Sequence, residues 1–165
     1  MNARELVIRR ANIADLPRLQ EIRLNAFEPI FRSFREILGE VIYKVAQQHE
    51  DEAQAGLLPD MFKPESEWEL FVIEQKTDVL GFISIKLNRS LRVGEIGLNA
   101  IHPNSAGNGI GTHMYEYAIE YMKSNGMKVA TVGTGGDPSH SAARSAYRKA
   151  GFDVEIPSVW MCKEL

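Results

Sequence analysis

Apolar side chains recur along this chain with two spacings, and the switch between them marks out the elements. The run "ELVIRRA" at 5–11 predicts a short strand. In "NIADLPRLQEIRLNAF" the residues Ile13, Leu16, Leu19, Ile22 and Leu24 form a helical stripe, with Asn12 as N-cap and Asp15 at the third helical position. Pro29 supplies a break, after which Ile30, Phe34, Ile37, Leu38, Val41, Ile42 and Val45 return at helical period and predict a second amphipathic helix. The polar "AQQHEDEAQAG" prolongs that helix or frays from it, and the two prolines of "LLPDMFKPES" predict a loop.

Period two then takes over. "WELFVIEQ", "DVLGFISIKLN" and "RVGEIGLNAI", separated by "KT" and by a turn near Asn88–Ser90, predict an antiparallel meander. In the third run Ile96, Leu98 and Ala100 alternate with Glu95, Gly97 and Asn99. One face would then pack on a core and the other would bring a carboxylate and an amide to a cleft. A glycine-rich stretch, "HPNSAGNGIGT", leads into a helix with the stripe Ile110, Met114, Tyr117, Ala118, Tyr121, Met122, closed by Asn125-Gly126. "MKVATVGT" predicts a further strand. Asp137 as N-cap and Pro138 at the first helical position open an Ala-rich helix that stops at Gly151. "FDVEIPSVWMCKEL" predicts one or two closing strands. The pattern is that of a mixed α+β domain over 1–165 with helices on a central sheet.

Composition narrows the function classes. At 165 residues, 44% hydrophobic and 25% charged, the chain has the make-up of one globular domain. A net charge of -3 offers no basic footprint for nucleic acid, and Arg4, Arg9, Arg10 and Arg18 are interleaved with carboxylates and apolar residues as on a solvated face. The first residues lack the apolar run of a signal peptide, and no window approaches the roughly 18 apolar residues of a membrane span. A cytoplasmic protein without a membrane partner is expected. Cys162 is the only cysteine, and His49, His102, His113 and His140 show no paired metal-ligand spacing, so no metal is expected.

The glycine loop is the strongest chemical signal. A strand entering a Gly-rich turn and then a helix can hold an anion, because unpaired N–H groups point out of the helix start and glycines admit phosphate oxygens. The stretch Gly107–Thr112 fits, yet it has neither the GK[ST] of a P-loop nor the third glycine of G-x-G-x-x-G, where Thr112 stands. A turn that needs glycine only for its backbone explains the composition equally well.

A second segment separates these readings. "AIHPNSAGNGIGTHMYEYA" resembles motif A of the GNAT superfamily of N-acetyltransferases, Q/R-x-x-G-x-G/A, with Gly109 and Gly111 on the small positions. "HSAARSAYRKAGF" is similar to its downstream N-x-x-A-x-x-x-Y-x-x-x-G-F, matching Ala143, Tyr147, Gly151 and Phe152. The resemblance implies an acyl-CoA N-acyltransferase fold, a mostly antiparallel, splayed sheet of six to seven strands flanked by about four helices. It implies acetyl-CoA as donor and a primary amine of a small molecule or peptide as acceptor, and a homodimer is compatible with it. Two positions depart: Ala106 replaces the usual Gln or Arg, and His140 the frequent Asn. They motivate a second possibility, a coenzyme A-binding sensor that keeps the fold without the chemistry. An unrelated nucleotide-binding domain is a third.

The roles implied by the resemblance are specific. Backbone N–H groups of Gly107, Asn108, Gly109, Ile110, Gly111 and Thr112 would hold the pyrophosphate, with His140 and Ala143 beside it, and the backbone around Ala100 and Ile101 would hold the thioester carbonyl. Tyr147 would be the acid for the departing thiolate, although a tyrosine in an Ala-rich helix also suits a core. Glu95 is the candidate base, and an exposed strand carboxylate is the alternative. Asn99 either orients substrate or closes a strand edge. His102 reads as a solvated loop residue and Cys162 as a buried strand residue. Trp68 and Trp160 belong to sheet packing or to an acceptor-site wall.

Overall fold

The computed structural model describes residues 6–165; Arg4 and the first residue of the predicted opening strand, Glu5, lie outside it. Strand β1 (Leu6–Arg10) is followed by a 3-10 turn at Ile13–Asp15, closed as the sequence predicts: the Asn12 side chain accepts the Ala14 N–H at 2.9 Å and Asp15 accepts the Asn12 N–H at 2.8 Å. Helix α1 (Leu16–Ile42) runs through Pro29 instead of breaking there. Pro29 is exposed, so the carbonyl it leaves unbonded faces solvent. The real interruption is at Gly39, whose φ of 72° is non-helical. A π turn (Tyr43–Gln47) leads into α2 (Gln48–Met61), which extends into the stretch expected as loop and includes Pro59.

Strands β2 (Trp68–Gln75), β3 (Asp78–Asn88) and β4 (Val93–Ile101) form the predicted meander, α3 spans Ile110–Ser124, β5 Val129–Val132 and α4 Ser141–Lys149. The sheet has five strands in the order β1-β2-β3-β4-β5, antiparallel except for the parallel pair β4–β5. The closing strands expected from 152–165 do not form. That segment has no regular structure, and Val154, Ile156, Val159, Trp160, Met161 and Cys162 are exposed. Trp160 and Cys162 are therefore not buried in a sheet, whereas the Trp68 ring sits against Gly97, leaving no room there for a Cβ.

Two apolar layers cover the sheet. Phe71, Ile73, Ile83, Ile85 and Ile96 pack on one face against Ile110, Met114, Tyr115, Ala118 and Met122 of α3 and against Tyr147 of α4. Leu70, Val72, Phe82 and Ala100 pack on the other face against Leu19 and Ile22 of α1 and Leu58 of α2. The α1 stripe continues from Ile22 to Ala26, one full turn on; Leu24 points outward, as do Ile13, Ile37, Val41 and Val45.

The β3–β4 register slips once: Ile85 pairs with Ile96 but Ile83 pairs with Asn99, so Ser84 faces both Gly97 and Leu98. The simple alternation expected for β4 is thereby corrected. Ile96 and Asn99 share the α3–α4 face, and Glu95 is left on the opposite face with Leu98 and Ala100.

Candidate functional site

Strand β4 ends where His102 donates its N–H to the Leu80 carbonyl at 2.8 Å, and a 3-10 turn at Pro103–Ser105 starts the loop. His102 is not a solvated residue: its side chain is 13% exposed and its Nδ1 accepts the Asn104 N–H. Ala106, Gly107, Asn108 and Gly109 are exposed, and the buried Ile110 anchors the start of α3. Gly107 and Gly109 have φ of 80° and 76°, a conformation L side chains rarely adopt. Gly109 is the N-cap and has no side chain with which to satisfy the helix start. The first helical bond runs from His113 N–H to Gly109 carbonyl at 3.0 Å, so the N–H groups of Ile110, Gly111 and Thr112 precede the ladder. A Cβ at Gly107 or Gly109 would meet nothing within 4 Å. The two glycines thus serve backbone conformation, and the result is an open, fixed set of donors at the positive end of a 15-residue helix, which fits an anion such as a pyrophosphate.

Beside the loop the sheet opens. β4 and β5 pair only from Val93–Val129 to Ile96–Val132, so Gly97–Ile101 have no strand on that side. The His102–Leu80 bond sets the phase of the antiparallel ladder: the Ala100 N–H turns toward β3 and the Ile101 N–H toward the crevice. Across it stands Tyr147, 6% exposed, with its ring 4.5 Å from that of Tyr115 and 5.9 Å from Phe152. The Asn99 amide ties these groups together. Its Nδ2 donates to the Gly97 carbonyl (2.9 Å) and to the Tyr147 hydroxyl (3.1 Å), and its Oδ1 accepts from the Tyr115 hydroxyl (2.8 Å). Burial raises the Tyr147 phenol above its ordinary value, and the bond from Asn99 acts against that rise; burial likewise pushes Tyr115 upward.

A 3-10 turn at Pro138–His140 precedes α4. Asp137 caps it by accepting the Ser139 N–H at 3.1 Å, and the same carboxylate lies 2.6 Å from His140 Nδ1. Burial alone would raise the Asp137 pKa, but hydrogen bonds from Ser139 and His140 outweigh it and the net shift is downward. Arg144 donates to the Gly135 and Asp137 carbonyls, binding the loop after β5 to α4, and Ala143 packs on the apolar layer under Tyr147.

Tyr147 lies on α4 and His140 on the turn before it, whereas Ile101 ends β4 and the glycine loop follows it. Glu95 stands apart, exposed and on the opposite face of the sheet from the Tyr147 hydroxyl. On that opposite side, between α1 and α2, lies a cavity of about 310 Å³ lined by Phe27, Phe31, Phe34, Asp51, Leu57 and His140. Asp51 is buried and accepts from Tyr43 (2.9 Å) and Gln47 (2.8 Å). Of these groups the sequence patterns missed Tyr115, although Gly111, Tyr115, Ala118 and Met122 lie on one helical stripe, and they missed Phe27 and Leu57, which sit in segments read as separate elements. Among the described residues no three His, Cys, Asp or Glu side chains form a group that could hold a metal, and no helix is long and apolar enough to cross a membrane.

The model of the acetyltransferase (GNAT) family matches residues 27–152, a span that contains the loop, the crevice, Tyr147 and the residues lining the cavity. The chain belongs to this family. No curated protein sequence matches it. Among solved structures, a GNAT family acetyltransferase from Brucella melitensis in complex with acetyl-CoA superposes with a TM-score of 0.63 at 18% identity, covering 92% of this chain and 84% of that one. A PaiA N-acetyltransferase from Thermoplasma acidophilum in complex with coenzyme A gives 0.69 at 20% identity, covering 93% of each chain. An aminoglycoside N-acetyltransferase in complex with CoA gives 0.63 at 12% identity, covering 98% of this chain and 96% of its own. These relatives share the GNAT fold, and the five-stranded sheet here is a slightly smaller version of the one expected.

Proposed function

We propose that this GNAT acetyltransferase moves the acetyl group of acetyl-CoA to a primary amine of a small molecule or peptide, both substrates being bound together. The observation that carries the reading is a buried tyrosine hydroxyl at the open edge of β4, next to a helix start whose N–H groups are fixed and unpaired. The backbone of Gly107–Thr112 would hold the pyrophosphate, each charge-assisted bond contributing about 1.5–3 kcal/mol, so the missing long side chain at Ala106 is offset by the backbone. In this reading His140 and Ala143 would lie beside the pyrophosphate, and the Ile101 N–H, rather than that of Ala100, which faces β3, would be the donor for the acyl oxygen. The donor supplies an acetyl group activated as a thioester.

The remaining work falls to protons. An amine of pKa about 10.4 is neutral in roughly one molecule in 2,500 at pH 7, a handicap of about 4.6 kcal/mol that desolvation or a base must offset. Glu95, on the α1–α2 face of β4, is the base in this reading, acting through water. Tyr147 gives its proton to the departing thiolate. The cavity between α1 and α2, with aromatic walls and the carboxylates of Glu50 and Asp51, suits a cationic amine with an apolar body.

The exposed apolar residues of 153–165 and the unpaired edge of β5 support association of two copies, and the single cysteine is in keeping with a cytoplasmic setting. A coenzyme A sensor without catalysis is favoured by one observation, that His140 Nδ1 is already engaged by Asp137. Thiol release from acetyl-CoA with a panel of polyamines, aminoglycosides, amino acids and peptide N-termini separates the two readings. Turnover with any of these amines is expected; binding of acetyl-CoA without turnover would leave the sensor.

A further inference from the structure

The direction of the Tyr147 proton is set by its neighbours. Which end of an amide is nitrogen follows from its partners, and here they leave one assignment. The end of Asn99 lying 2.9 Å from the Gly97 carbonyl faces an atom that can only accept, so it is Nδ2. Its second hydrogen goes to the Tyr147 oxygen at 3.1 Å. The other end is then Oδ1, which can only accept, so the Tyr115 hydroxyl donates to it at 2.8 Å. Both amide hydrogens and the Tyr115 proton are committed. Tyr147 receives a hydrogen bond from Asn99, and its own O–H is left to point away from the amide.

We propose that Asn99 is a positioning residue that holds Tyr147 as a proton donor and steadies the phenolate it becomes. The inference rests on the acetyltransferase reading for what Tyr147 does. In the step the Tyr147 O–H bond breaks and its proton passes to the sulfur as the carbon–sulfur bond breaks. The Asn99 Nδ2–H then faces a phenolate, and the proton lost by the amine as the new carbon–nitrogen bond forms returns to Tyr147 through solvent. Burial resists such a phenolate, and the bond from Asn99 lessens the resistance. The groups facing the hydroxyl are Asn99 from β4 and Tyr115 from α3, with the Phe152 ring and Ile83, Ile85 and Ile96 in the same apolar layer, and none of these carries a charge. The register slip in β4 is what brings Asn99 to this face.

Asn99→Asp tests this with almost no change of shape. An ionised carboxylate can only accept, so it would draw the Tyr147 proton toward itself and repel the phenolate. In the full chain labelled with carbon-13 at tyrosine, with the Tyr147 resonance identified by its absence in Tyr147→Phe, the phenol of Asn99→Asp should titrate at higher pH than in the parent. Turnover at saturating substrates should fall about 100-fold near neutral pH and recover in part as the pH drops and the carboxyl, once protonated, becomes a donor again. Coenzyme A affinity should be unchanged. Tyr115→Phe, which frees the amide to rotate, should shift the Tyr147 titration in the same direction by less. A Tyr147 titration that stays in place in both variants, or a turnover loss equal at every pH, would overturn the role of Asn99. Because the titration needs neither substrate, it tests Asn99 even if the parent chain transfers no acetyl group, an outcome that would overturn the proposed function instead.

Discussion

Replacing Gly109 and Gly111 one at a time by alanine separates backbone conformation from open space in the loop. Gly109 sits at φ 76°, where a Cβ costs about 1–2 kcal/mol through contact with the following carbonyl. For a domain of this size, about 2–4 °C of melting temperature goes with each kcal/mol, so Gly109→Ala should lower it by about 2–8 °C. Gly111 lies inside α3 with ordinary helical geometry, and a Cβ there would meet Ile101 and Tyr115 at 3.9 Å, a normal contact. Gly111→Ala should therefore raise stability, by about 0.5 kcal/mol in a first turn. Affinity separates the two more sharply. If residue 109 relaxes toward negative φ, the peptides on either side rotate and the N–H groups ahead of the helix no longer converge. Loss of one charge-assisted bond is worth about 1.5–3 kcal/mol, or roughly 10- to 150-fold in the dissociation constant of coenzyme A. Thermal melts and titration calorimetry with coenzyme A read both effects. Equal melting shifts for the two variants, or parental affinity in Gly109→Ala, would refute this role for the loop glycines.

Other expectations concern the frame around the site. The hydrogen bond from Arg9, helped by the Asn12 N–H, holds the Asp15 carboxyl below its usual range against the pull of burial. A carboxyl lowered on folding adds stability that is in place above about pH 4 and is lost as the pH falls through its folded value. Asp15→Asn should thus cost about 1–2 kcal/mol at pH 7, and its urea midpoint should converge on the parent's in acid; curves that stay parallel throughout would speak against the pairing. Phe82→Ala empties a fully buried position and should cost about 3–5 kcal/mol in the same assay. Phe31→Ala, in the half-open cavity wall, should instead raise KM for the amine with little change in melting temperature, and an unaltered KM would remove the cavity as the acceptor site. Truncation after Glu155 should leave the melting temperature in place and, if the tail joins two copies, move the protein to the monomer position in size-exclusion chromatography.

Much of this arrangement was legible in residue order. The meander, the Asn12–Asp15 capping box, the Asp137 cap and the glycine start of α3 are written in local chemistry, where each residue's partner lies within a few positions. Pro29 misled because a proline on a helix's solvent side leaves its orphaned carbonyl to water, and exposure is not visible in a single sequence. The alternation of Glu95 to Ala100 misled for a different reason. The slip that reverses the faces arises from pairing with Ser84, on a strand whose alignment the β4 sequence does not contain. Tyr147 was legible through its motif, but Asn99 and Tyr115 as its partners were not, since they converge from three elements. The tail carries strand-like residues yet forms no strand in the single chain.

The extra residue in β4 also bears on which genetic changes the protein can survive. Deleting one codon between Ile96 and Asn99 would let the β3–β4 ladder run in regular register, and by strand pairing alone that is a repair. Every side chain from Asn99 to Ile101 would keep its β3 partner and its side of the sheet, with the amide still turned to Tyr147 and the Ala100 methyl still in its apolar layer. A frame-preserving deletion at the slip should therefore be survivable, leaving Tyr147 with its amide partner.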